Sequence, residues 1–98
     1  MNILDQIQFD TDKANVAIIK KNDSIKYFAV ALGAGAVLKK HKTPVPATLL
    51  VLKGEINFVF SDREYILKAG DVFEIPVGEE HEVVGVLAQN VFTVTQEL

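Results

Sequence analysis

The sequence contains two histidines, His41 and His81, and no cysteine. An imidazole is a general base near neutral pH, a two-sided hydrogen-bonding group and a metal ligand. The lack of thiols excludes disulfides and thiolate metal centres, so any chemistry in this chain falls first to the imidazoles. Each histidine ends a similar run of residues. The first is Gly35-x5-His41-x-Thr43-x3-Ala47-x6-Gly54, and the second is Gly70-x5-Pro76-x-Gly78-x2-His81. Both have a glycine turn, a strand, and a histidine at or just past the end of the strand. If the two strands pair, His41 and His81 come to one cavity. Taken singly, each histidine also reads as an ordinary hydrogen-bonded structural residue.

The elements that must position them are strands. Ile3 to Phe9 reads as a short helical turn or an edge strand. From Val16 onward, turn residues separate apolar, β-branched segments at intervals of roughly 8–12 residues, which predicts about nine strands and a sandwich or barrel. These are Val16–Ile19, Ile25–Leu32, Val37–His41, Leu49–Leu52, Ile56–Phe60, Arg63–Leu67, Val72–Ile75, His81–Val84 and Val91–Thr95. Thr43-Pro44-Val45-Pro46 must be a loop, because each proline removes a ladder donor. The unbroken apolar run Leu49–Leu52 predicts a strand buried on both faces. Gly54, Gly70 and Gly78 are explained by turn geometry, and Pro76 by a stiffened strand exit. Phe58, Phe60, Phe73 and Phe92 read as core or interface residues.

The two runs resemble the paired motifs of the cupin family, small jelly-roll barrels. The resemblance covers about Gly35 to Gly85, in two motif regions, residues 35–54 and 70–85. Gly70, Pro76, Gly78 and His81 fall at the spacing of the second motif, and Gly85 stands where many members have asparagine. In the first motif Gly35, His41 and Gly54 match. The resemblance implies an all-β chain: a single cupin-like jelly roll of two antiparallel sheets with little or no helix, spanning residues 1–98. A typical cupin metal site uses three histidines and a glutamate. Here Thr43 stands at the second histidine and Ala47 at the glutamate. His41 and His81 are therefore candidate metal ligands of an incomplete set, and no cofactor is assigned beyond a divalent ion left open. Glu74 alternates with Phe73 and Ile75, but whether it or Lys39 faces the cavity cannot be read from the chain.

Composition narrows the function classes. The formal net charge is −3 and 49% of residues are hydrophobic. An acidic chain without a basic aromatic surface is a poor nucleic-acid binder. The clusters Lys20-Lys21 and Lys39-Lys40-Lys42 read as solvated faces or turns. No apolar stretch approaches the ~20 residues needed to span a bilayer. The start of the chain lacks the pattern of a signal peptide, so a cytoplasmic location is expected. A domain of this size buries only about 60–70% of its unfolded surface, and a homodimer is expected to cover its remaining sheet edges.

Three functions follow. The first is a small-molecule binding or sensing module. Its pocket would use His41, Thr43 and His81, with Val37, Leu50, Phe73 and Val83 as apolar walls. The second is an enzyme, as a metal-free isomerase or epimerase with His41 or His81 as general base, or as a metal-dependent dioxygenase, which fits the ligand count less well. The third is a non-catalytic dimeric scaffold.

Overall fold

A computed structural model describes residues 1–98. A four-residue helix, α1 (Ile3–Gln6), precedes nine strands: β1 (Asn15–Lys21), β2 (Ile25–Leu32), β3 (Val37–His41), β4 (Ala47–Lys53), β5 (Glu55–Val59), β6 (Glu64–Lys68), β7 (Val72–Ile75), β8 (His81–Gly85) and β9 (Asn90–Glu97). The strands form two sheets, ordered β1-β2-β9-β4-β7 and β3-β8-β5-β6. Every pairing is antiparallel. The strands are those that the turn spacing predicts, and the two antiparallel sheets are those that the cupin resemblance implies. The proline-bearing segments at 42–46 and 76–80 are loops.

The period of two along each strand builds the core. Val30 and Leu32 of β2, Leu49 and Val51 of β4, Ile56 and Phe58 of β5, Val83 of β8 and Phe92 of β9 are all buried between the sheets. A second, smaller cluster lies on the outside of the larger sheet. There Ala29, Ala31 and Val91 are covered by Ile3, Ile7, Phe9 and Ile19. The N-terminal segment is thus a helical turn, capped by Asn2, whose side chain accepts from the Leu4 amide at 3.0 Å. Its apolar residues sit over two alanines.

β4 departs from its sequence reading. Leu49 and Val51 are fully buried, but Leu50 is half-buried and Leu52 is 39% exposed. The N-terminal segment covers the outer face over β2 and β9 only. The outer side of β4 is left open.

The two ends of the barrel differ. At one end Asn90 is fully buried, between Gly54 and Gly85 and beside Leu32. Asn90 Nδ2 donates to the carbonyls of Leu32 (2.9 Å) and Leu87 (2.7 Å), and Oδ1 accepts from the amides of Glu55 (2.9 Å) and Leu87 (3.1 Å). Both donors and both acceptor sites of the amide are used. Gly85 is required beside it, since a Cβ there would overlap the Gly33 carbonyl and approach Asn90 Nδ2 at 2.9 Å. The other end is open. No helix of the molecule is long and apolar enough to cross a membrane.

Candidate functional site

The open end holds a cavity of about 690 Å³. That is within the usual range of small-ligand sites. His41 and His81 meet at its wall because β3 and β8 pair in a register that sets the two residues opposite one another. Their ring centroids are 4.4 Å apart and edge-to-face at 66°. His81 is 2% exposed and stacks on Phe58 at 4.7 Å, whereas His41 is exposed.

Both rings are oriented by the same local device. His41 Nδ1 lies 2.8 Å from the carbonyl of Lys39, and His81 Nδ1 lies 2.9 Å from the carbonyl of Glu79, each two residues back along the chain. A carbonyl only accepts, so each Nδ1 carries the proton when it makes this bond. In the neutral ring the lone pair is then on Nε2, which no protein group bonds. Burial pushes the His81 pKa below the ordinary imidazole value. The Glu79 carbonyl opposes that shift, and the nearby His41 adds to it. His81 is therefore a neutral ring with a free Nε2 at physiological pH.

The loops of the two motifs are tied together beside the cavity, where the Gly78 amide donates to the Thr43 carbonyl at 2.9 Å. Thr43 itself is buried in the cavity wall. A second tie holds the segment ahead of His81. Arg63 donates to both oxygens of Glu79 at 2.7 and 2.8 Å, and its guanidinium carbon lies 3.9 Å from the centroid of the Phe60 ring. The two hydrogen bonds from Arg63 hold the Glu79 carboxyl below the usual carboxylate range.

The walls differ in part from the sequence reading. His41, Thr43, His81, Val37 and Val83 line the cavity. Leu50 does not: it sits on the outer face of β4, and its neighbour Leu49 takes the inner position. The apolar run gave no phase from which to choose between them. Phe73 does point between the sheets, but it packs behind Phe58, at 4.9 Å between ring centroids, and beside Tyr65 at 5.3 Å. It closes the side of the barrel and stops short of the cavity. Phe58 and Phe92 are both core residues and cavity walls.

Four further charged or polar residues line the cavity: Lys26, Gln96, Asp12 and Lys13. Lys26 and Gln96 pair across β2 and β9 on the inner face. Their phase was available, since Lys26 lies two residues before Phe28 and Gln96 two after Val94. Asp12 and Lys13 reach the cavity from the segment before β1, which carries no periodic signal. Lys39 and Lys40 are solvated, as expected, but they also form part of the cavity rim.

The donor set does not fit a cupin metal centre. Ala47 is buried and has no donor atom. Glu74 is on the outer face and accepts from Thr48 Oγ1 at 2.5 Å. Glu79 is engaged by Arg63. Glu82 opposes Val59 on the outside of the smaller sheet. No group of three or more histidine, aspartate or glutamate side chains is arranged to hold an ion. Two imidazoles and a neutral hydroxyl leave a divalent cation short of ligands.

Residues 28–88 match the family model described as the cupin domain. The chain belongs to the cupin family. Solved structures agree on the cupin fold. An RmlC-like cupin from Desulfovibrio desulfuricans is 23% identical with a TM-score of 0.83, over 98% of this chain and 93% of that one. A cupin superfamily protein from Desulfitobacterium hafniense is 16% identical with a TM-score of 0.83, over 94% and 84%. An uncharacterized conserved protein with a double-stranded β-helix domain from Klebsiella pneumoniae is 15% identical with a TM-score of 0.87, over 99% and 87%. No curated protein matches the sequence. Within the cupin frame, Thr43 and Ala47 are departures at the two positions where the family's motif supplies further metal ligands.

Proposed function

We propose that this cupin is a small-molecule binding or sensing protein whose pocket operates without a complete metal centre. The observation that carries the reading is the pairing of an open cavity of about 690 Å³ with two adjacent imidazoles whose Nε2 atoms have no protein partner. Such atoms accept a hydrogen bond from a ligand, and the apolar wall takes up the ligand's body. Metal analysis of protein purified without chelator tests it. The expected result is far less than one ion per chain. One tightly held ion per chain overturns the reading.

The state of His81 supports a second reading, a metal-free proton-transfer enzyme. A neutral ring, fixed through Nδ1 and bare at Nε2, is arranged as a general base. In that case His81→Gln abolishes turnover of a substrate that the cavity binds. Undiminished turnover removes His81 from the role.

The homodimer remains part of the proposal. It is supported by apolar side chains on the outer face of the larger sheet, where Leu52 and Val72 are 39% and 66% exposed. Light scattering at micromolar concentration is expected to give twice the chain mass of 10.8 kDa. A monomer counts against it.

A further inference from the structure

The cavity is charged in the opposite sense to the molecule. The whole chain has a formal net charge of −3. The cavity is lined by Lys13, Lys26, Lys39 and Lys40 against one carboxylate, Asp12, so with neutral histidines it carries +3. These lysines come from three places in the fold: the segment before β1, the inner face of β2, and β3. None of the four forms an ion pair, because both ion pairs in the molecule belong to Arg63. Unpaired like charges around a cleft with apolar walls focus a positive potential into it.

Lys26 is the most constrained of the four. It is half-buried, and its Nζ lies 5.3 Å from the centroid of the Phe28 ring, which also lines the cavity. That cation–π contact keeps the ammonium at the cavity wall. The deeper wall is different in kind: Val30, Leu49, Phe58 and Phe92 are buried and apolar. A hydrated inorganic anion has no use for such a surface, and a cation is repelled at the rim.

We infer that the cavity takes a small organic anion, a carboxylate or similar acid on an apolar body. The acid group lies among Lys26, Lys39 and Lys40, and the body rests on Val30, Leu49 and Phe92. This rests on the reading above that the cavity binds a small molecule, and it names the chemical class.

A matched pair of probes tests it. 4-Phenylbutyrate and its neutral isostere 4-phenylbutyramide are titrated into ¹⁵N-labelled protein at low salt, and the amide shifts of the lining residues are followed. The acid is expected to bind about tenfold more tightly, the combined effect of several solvent-screened ion contacts. Added salt reduces that preference. The combined variant Lys26→Gln, Lys39→Gln, Lys40→Gln is expected to lower it to about twofold or less. A control variant with the same change in net charge, Lys21→Gln, Lys53→Gln, Lys68→Gln, keeps the preference, since those lysines lie off the cavity. Equal binding of the two probes overturns this inference and leaves the binding role standing. So does a preference that survives in the cavity variant, or one lost equally in the control. If neither probe moves the lining amides, both proposals fall.

Discussion

The two ends of this barrel are built from the same two sheets and treat polar groups in opposite ways. At the closed end, Asn90 makes four hydrogen bonds and leaves no donor or acceptor free. Gly54 has a φ of +79°, and a Cβ there would overlap the Gln89 carbonyl, so the chain crosses at its closest approach. At the open end, polar groups are placed side by side without satisfying one another. Two Nε2 atoms lack protein partners, and the lysines of the rim form no ion pair. A buried polar group left unpaired is costly, so one end is organised for stability. The unmet valences of the other are open to a ligand.

The largest expected effect breaks the closed end. Asn90→Ala removes a fully buried side chain and strips the partners from two backbone amides and two backbone carbonyls. The expected loss is about 3 kcal/mol, or roughly 15 °C in Tm for a chain of this size. Urea unfolding measures it. The cavity residues should keep their amide shifts at temperatures where the variant is folded. A cost below about 1 kcal/mol would mean that the closed end is not the anchor, and the contrast between the ends would fail.

The two ends were unequally legible in the sequence. All nine strands follow from turn residues and apolar alternation, because those signals are local. Which residues face the cavity followed only where alternation gave a phase. Leu49–Leu52 has none, and it is Leu49, not Leu50, that faces the cavity. Phe73 lies on the inner face, but its depth is set by Phe58 on the opposite sheet, and no local signal reports that. The Asn90 network draws on Leu32, Glu55 and Leu87. Those partners lie far apart along the chain, so no local pattern singles out Asn90. The two histidines were paired by motif spacing, whereas their tautomer depends on backbone carbonyls whose direction only the folded chain sets.

The next test concerns the open end. Burial lowers the His81 pKa, so the unfolded chain binds more protons than the folded one in the range below the ordinary imidazole value of about 6.5. Stability therefore rises with pH across that range. It is complete above the unfolded value and is lost as pH falls through 6.5 toward the folded pKa. Urea midpoints at pH 7.5 and 5.5 should differ in that direction. His81→Asn retains a donor for the Glu79 carbonyl but cannot titrate, and its profile should be flatter. NMR titration of the His81 ring gives the direct check. A pKa at or above the ordinary value would remove the picture of a neutral ring.

The smallest expected effect separates the His81 wall of the open end from its support. Arg63 reaches His81 by two routes: through Glu79, whose side chain it grips and whose carbonyl orients the ring, and through Phe60, whose ring lies 6.1 Å from that of His81. The pair is partly exposed, with side chains 35% and 39% accessible, so its effect on global stability is small. Arg63→Met keeps apolar cover on Phe60 and removes the grip. The unfolding midpoint at pH 7 should barely change, while the His81 ring shifts and titration should move. The pair should also show in acid. A carboxylate held below its usual range contributes stability that is lost as pH falls below about 4.3. Arg63→Met should lack that part of the acid sensitivity. An unaltered His81 titration in the variant would show that the ring is held by the loop backbone alone, and that the open end needs no side-chain tie comparable to Asn90.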